Sequence, residues 1–149
     1  MKRLVFGLIG IAAALAASAA HADTSSASEV ERNKELVSAL FGIIYGTSTE
    51  DIAKIDDLVA ADYVQHNPSV GQGREGLRQL LLRIVPGPKE LSSQGTLSVK
   101  LIAEDDFVVR QELRTNGMLV DIFRIKDGKL QEHWDAFRFA PGAARIPGF

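Results

Sequence analysis

The hydrophobic period of the chain changes once. Up to residue 85, apolar residues recur at helical spacing; from residue 97 they alternate with polar ones, the period of a strand. Val37, Leu40, Phe41 and Ile44 form the first helical stripe. Ser28-Glu29-Val30-Glu31 ahead of it matches a capping box and predicts a helix start at Ser28, and Gly46 suits the stop. Thr47-Ser48-Thr49-Glu50-Asp51 opens a second helix, where acidic residues favour an N-terminus, with Ile52, Ile55, Leu58 and Val59 inward. Residues 63–67 read as short and extended, because Pro68 disfavours helix at the residue before it. Gly73-Arg74-Glu75-Gly76 opens a third helix with Leu77, Leu80, Leu81 and Ile84 inward, which Pro86 and Pro88 end.

Four strands follow. Leu97, Val99 and Leu101 alternate with Ser98 and Lys100; residues 107–113, 118–125 and 130–139 are the other three. Asn116-Gly117 and Asp127-Gly128 are hairpin signals. Helices followed by a four-stranded antiparallel meander make an α+β fold. Residues 118–125 are apolar on both faces. One face is expected to meet the helices, the other a second subunit or a terminal tail, and a homodimer through Met118, Val120 and Ile122 is the expected assembly.

Composition narrows the partners. The chain has 149 residues and no internal repeat, so one domain is expected, and 46% hydrophobic residues suffice for a core. Basic residues form no stripe and the net charge is −2, so nucleic acid is not expected as a partner. The absence of cysteine excludes disulfides, thiolate metal sites and a cysteine nucleophile. Residues 1–22 read as a signal peptide: Lys2 and Arg3, an apolar run over residues 4–17, then Ala20-His21-Ala22 as a small-x-small cleavage site. A membrane anchor would be at the short limit for spanning. Cleavage predicts a periplasmic or secreted protein with no membrane attachment, residues 23–27 as a polar linker and residues 28–149 as the domain. Residues 1–22 hold two of the 17 basic residues and none of the 19 acidic ones, so the remainder carries −4. His66 and His133 are then the two histidines left.

The candidate chemistry centres on Asp121. It shares its side of the strand with Leu119, Phe123 and Ile125, and a carboxylate on an apolar face is costly unless paired, hydrogen-bonded or protonated. The next strand offers His133, Trp134 and Asp135. A two-residue turn at Asp127-Gly128 would pair Asp121 with Trp134. A three-residue turn from Lys126 to Gly128 would pair it with His133, and is preferred because glycine fits the last position. Gln131, His133 and Asp135 then share the face of Asp121. His66 is a second base or a local turn residue; Tyr63 can lend a hydroxyl. No close-spaced ligand motif points to a metal, and neither metal nor cofactor is expected.

Tyr63-Val64-Gln65-His66-Asn67-Pro68, Gly73-Arg74-Glu75-Gly76, Asp121-Ile122-Phe123-Arg124 and the run from Asp127 to Asp135 resemble the SnoaL-like polyketide cyclase family. That family belongs to the nuclear transport factor 2-like superfamily, which also holds ketosteroid isomerase. The resemblance implies a cone: N-terminal helices on a curved, mainly antiparallel sheet around an apolar pocket. It implies cofactor-free acid/base chemistry on a small hydrophobic carbonyl compound, of the aldol cyclase or isomerase type, with Asp121 and His133 catalytic. His66, Asn67, Tyr63, Trp134 and Asp135 would bind the substrate. The isomerase's proton-transferring aspartate falls here on Asn67, whose amide cannot take up a proton, so isomerisation by that route is not implied. The same fold hosts binding modules, so a non-catalytic module for a hydrophobic small molecule is the alternative.

Overall fold

The computed structural model describes residues 10–85 and 95–142, with side chains from residue 26. Helix α1 (Gly10–Ile44) buries Val37, Leu40, Phe41 and Ile43. It does not start at Ser28. The Ser28 hydroxyl accepts from Arg32 one turn on, at 3.0 Å, so the expected capping box is not formed. Gly46 ends the helix as expected: its N–H reaches the Ile43 carbonyl at 3.0 Å, and a Cβ there would stand 2.9 Å from the Gly42 carbonyl.

The second helical segment is tighter than its pattern predicts. Ser48 caps it by accepting from the Glu50 N–H, and a 3-10 helix (Thr49–Lys54) runs into a single turn, α2 (Ile55–Leu58). Ile52, Ile55 and Val59 are buried, yet Val59 already has strand angles. The extended segment therefore starts earlier than expected, as β1 (Val59–Gln65). Helix α3 (Gly73–Ile84) buries Leu77 and Leu81 and packs Leu80 and Ile84 on the core. Its first turn needs a glycine, since a Cβ on Gly76 would fall 2.1 Å from the Gly71 backbone. Pro86 and Pro88 lie outside the described residues.

The four expected strands form: β2 (Thr96–Glu104), β3 (Phe107–Arg114), β4 (Gly117–Lys126) and β5 (Lys129–Phe139). β1 adds a fifth, parallel to β5, giving the order β1-β5-β4-β3-β2. The core lies between one face of this sheet and the helices, with Phe123, Ile125, Val108 and Leu130 meeting Leu40, Phe41, Ile55 and Leu81.

The β4–β5 hairpin corrects the preferred register. Lys126 pairs with Lys129, so the turn has two residues. Asp127 (φ 52°) and Gly128 (φ 70°) are both left-handed, as a type I′ turn requires. The register then slips by one: Ile125 pairs with Leu130, but Arg124 pairs with Glu132. Gln131 is left over as a bulge. Asp121 consequently faces Asp135, and His133 faces Phe123. The three-residue turn was the wrong device, and Asp121 pairs with neither His133 nor Trp134. The bulge nonetheless returns His133 and Asp135 to the face of Asp121. Gln131 does not join them; its amide donates to the Asp62 side chain at 3.2 Å.

Candidate active site

The inner face of the sheet carries a polar cluster where its pattern reads apolar. Asp121 is 4% exposed and His133 8%, with His133 Nε2 3.3 Å from Asp121 Oδ1. The other oxygen of Asp121 meets Arg110 on β3 at 3.5 Å. Pairing and hydrogen bonding thus answer the cost of a carboxylate in this place. Phe123 stacks on the His133 ring at 4.5 Å and fixes its plane.

Gln65, the β1 partner of His133, orients the imidazole. Its Oε1 accepts the backbone N–H of Asn67 at 2.9 Å and stands 3.1 Å from His133 Nδ1. An oxygen already accepting from one N–H calls for a donor on its other side, so Nδ1 carries a hydrogen, and the bond to Asp121 then needs a second hydrogen between Nε2 and Oδ1. Gln72 holds Gln65 in turn, with its side chain bonded to both backbone groups of Gln65 at 3.1 and 2.6 Å.

Asn67 donates to both oxygens of Asp135, at 3.0 and 2.8 Å, and its own Oδ1 accepts from the Ser69 N–H. Asp135 is exposed and marks the open end of the cluster. Tyr63, 2% exposed, points its ring from β1 into the same face. Burial, with the negative charges of Asp121 and Asp135, pushes its hydroxyl pKa well up, so it stays a donor. Tyr63, Asn67, Asp121, His133 and Asp135 are therefore brought together as expected.

Trp134 and His66 are not. Both lie on the opposite face, stacked at 4.6 Å, with His66 Nε2 2.8 Å from Glu132. The bulge sets this, because it turns Trp134 outward as it turns His133 inward. Hydrogen bonding to His66, with help from Arg124, holds Glu132 below the usual carboxylate range.

Three inner residues were not anticipated. Gln65 reads as an ordinary strand residue. Arg110 and Glu112 alternate with Val109, Gln111 and Leu113, and such charges are normally assigned to solvent. Instead β3 turns Val108, Arg110 and Glu112 inward. Arg110 donates to Glu112 at 2.7 Å and lies 3.6 Å over the Phe41 ring. Tyr45 and Thr96 donate to the same carboxylate at 2.6 and 2.5 Å, and Arg114 reaches it at 3.1 Å. The available signal was the Arg-x-Glu spacing, which places two opposite charges on one face of a strand beside Asp121.

A model of the SnoaL-like domain family matches residues 44–133. Among solved structures, TsrD from Streptomyces laurentii is 22% identical with a TM-score of 0.51, covering 72% of this chain and 88% of its own. A protein assigned as a SnoaL-like polyketide cyclase from Jannaschia sp. CCS1 is 16% identical with a TM-score of 0.53, covering 72% and 85%. Another assigned as a polyketide cyclase, from Acidithiobacillus ferrooxidans, is 16% identical with a TM-score of 0.50, covering 71% and 87%. At such identities these likenesses show the fold. No curated protein matches the chain significantly. The helix-then-sheet order, the curved five-stranded sheet and the family match over most of that span lead to one assignment: the chain belongs to the SnoaL-like domain family.

Proposed function

We propose that this chain is an exported, cofactor-independent acid/base enzyme of the aldol cyclase or isomerase type, acting on a small hydrophobic carbonyl compound. The observation that carries the reading is the buried Asp121–His133 pair with its imidazole oriented by Gln65. In this scheme Asp121 takes the proton from the carbon beside the substrate carbonyl, and His133 positions the carboxylate or passes the proton on. The enolate oxygen is met by the Tyr63 hydroxyl and the Asn67 amide, donors fixed before substrate arrives. In an aldol closure the enolate carbon forms the new C–C bond and the proton returns to the resulting alkoxide. Phe123 and Leu119 supply apolar surface beside these groups.

Turnover of a panel of small 1,3-dicarbonyl compounds tests this. Asp121→Asn is nearly isosteric and should lower kcat by at least about a hundredfold, within the range of general acid/base contributions, with substrate binding retained. The alternative is a non-catalytic binding module. It draws on a depression of about 550 Å3 between α1 and the β4–β5 turn, whose lining joins Leu36, Leu58 and Ile125 to the charged Glu29, Arg32 and Lys126 and does not include Asp121. Binding of a hydrophobic probe by a chain without turnover, unchanged in Asp121→Asn, would favour the module. Export rests on the Ala20-His21-Ala22 site. Mass spectrometry of periplasmic protein should give an N-terminus near Asp23, and an intact Met1 would remove that part of the proposal.

A further inference from the structure

Arg110 is the residue of the inner cluster that the acid/base scheme leaves without a part. It stands directly opposite Asp121 in the β3–β4 ladder, and Asp121 stands directly opposite Asp135 in the β4–β5 ladder. One row across the sheet therefore reads cation, carboxylate, carboxylate. Like charges opposite one another on neighbouring strands repel, and Arg110 supplies the opposite charge to the carboxylate in the middle.

The distances show which member of the row is the anchor. Arg110 is 4% exposed, and its Nη1 donates to Glu112 at 2.7 Å but reaches Asp121 Oδ2 only at 3.5 Å. Its guanidinium lies 3.6 Å over the Phe41 ring and 5.5 Å from that of Tyr45. Glu112 is gripped in turn by Tyr45, Thr96 and Arg114. Groups other than Asp121 thus fix Arg110, and position passes from this cluster to Asp121 rather than the reverse. A carboxylate with interchangeable oxygens can rotate about its Cβ–Cγ bond. Here each oxygen has its own partner, His133 on Oδ1 and Arg110 on Oδ2. The looseness of the second contact matters as well. A two-point guanidinium grip would occupy both oxygens, whereas a single long contact leaves lone pairs free for a proton.

We propose that Arg110 is the positioning residue of the Asp121–His133 pair: it steadies Oδ2 of Asp121 by charge, keeps Oδ1 on His133, and is held back from a tighter grip by Glu112. This role rests on Asp121 being the acid/base group. Arg110 does not touch the substrate in this scheme, so its contribution belongs to kcat and not to KM.

The test is steady-state kinetics with the most rapidly turned over of the small 1,3-dicarbonyl compounds. Arg110→Gln leaves Glu112 its three other donors and Asp121 its histidine, so the fold should hold, as checked by urea melts. Its kcat should fall at least about tenfold, within the cost of a misplaced catalytic group, with KM changed by no more than about twofold. Arg110→Lys restores the charge and should recover most of the loss. Added to Asp121→Asn, Arg110→Gln should have no further effect on kcat, because Arg110 acts through that carboxylate. An arginine that only supports the fold would lower stability in both backgrounds and leave kcat alone. Wild-type kcat in folded Arg110→Gln, or a further fall on top of Asp121→Asn, would overturn the proposal. Should Arg110→Gln not fold, the double variant Arg110→Gln/Glu112→Gln, which removes both members of the buried ion pair, is read by the same criteria. A wild type that turns over none of the compounds would remove the acid/base reading and this role with it. An active wild type, an inactive Asp121→Asn and a fully active Arg110→Gln would remove this role alone.

Discussion

Glu112 shows what a single buried residue contributes. It has no exposed surface, and burial alone would raise its pKa. Hydrogen bonds from Arg114, Thr96, Tyr45 and Arg110 outweigh that and hold it at about 2, from an ordinary 4.5. The folded value is the lower, so its stabilisation is fully present above about pH 4.5 and fades as pH falls towards 2. Glu112→Gln strands two guanidinium groups and should cost about 3–5 kcal/mol at pH 7, as removal of one partner from a buried ion pair does. In urea melts, the gap between wild type and variant should narrow from pH 5 down to pH 2.5; a gap independent of pH would contradict this assignment. The neighbouring phenol moves the other way: burial first, then the hydrogen bond to Glu112, push Tyr45 up to about 12. Tyr45 is therefore expected to stay protonated through pH 10 in a spectrophotometric titration.

At the scale of elements, one residue stands outside the β4–β5 ladder. Removing Gln131 would restore an unbroken ladder beyond the turn with Glu132, His133 and Asp135 still opposite Arg124, Phe123 and Asp121, so the bulge would be lost and the faces kept. A Gln131 deletion variant is expected to keep the stacking of His133 on Phe123, read as retained ring-to-ring nuclear Overhauser contacts. Loss of those contacts would contradict this register. Gly128→Val forces a β-branched residue into a left-handed position and should cost about 1–2 kcal/mol in thermal unfolding. These elements also mark where sequence reasoning reached. The helix stripes at Leu40, Ile55 and Leu81 and the Asn116-Gly117 and Asp127-Gly128 turns were legible, because period and turn chemistry are local. Asp121 and His133 stood out because a carboxylate and a base broke an apolar alternation. Arg110 and Glu112 were hidden because their spacing is that of a solvated strand face. The bulge at Gln131 and the parallel docking of β1 depend on partners distant in the chain, and no local pattern encodes them.

For the whole molecule, the outer sheet face remains to be accounted for. Ile102, Val109, Ile122 and Trp134 lie in one row across β2, β3, β4 and β5. Ile102 is 59% exposed, and Phe107 and Leu113 are also open to solvent. We propose that a second copy covers this face, with Met118 and Val120 in the contact. Sedimentation at micromolar concentration should give a dimer and Ile122→Glu a monomer; a monomeric wild type would count against it. No helix among the described residues is long and apolar enough to cross a membrane. The β1–β5 pairing bears on how this molecule comes into being. Gln65 and His133 touch across 68 positions of chain, and so do Asn67 and Asp135. Loop closure over that distance must precede any reward from the contacts, which makes them high-contact-order, late events in folding. During synthesis, the helices and the first half of the inner polar cluster wait for the last strand to emerge. A refolding experiment should accordingly recover helical signal first, and the His133 environment only in the slowest phase.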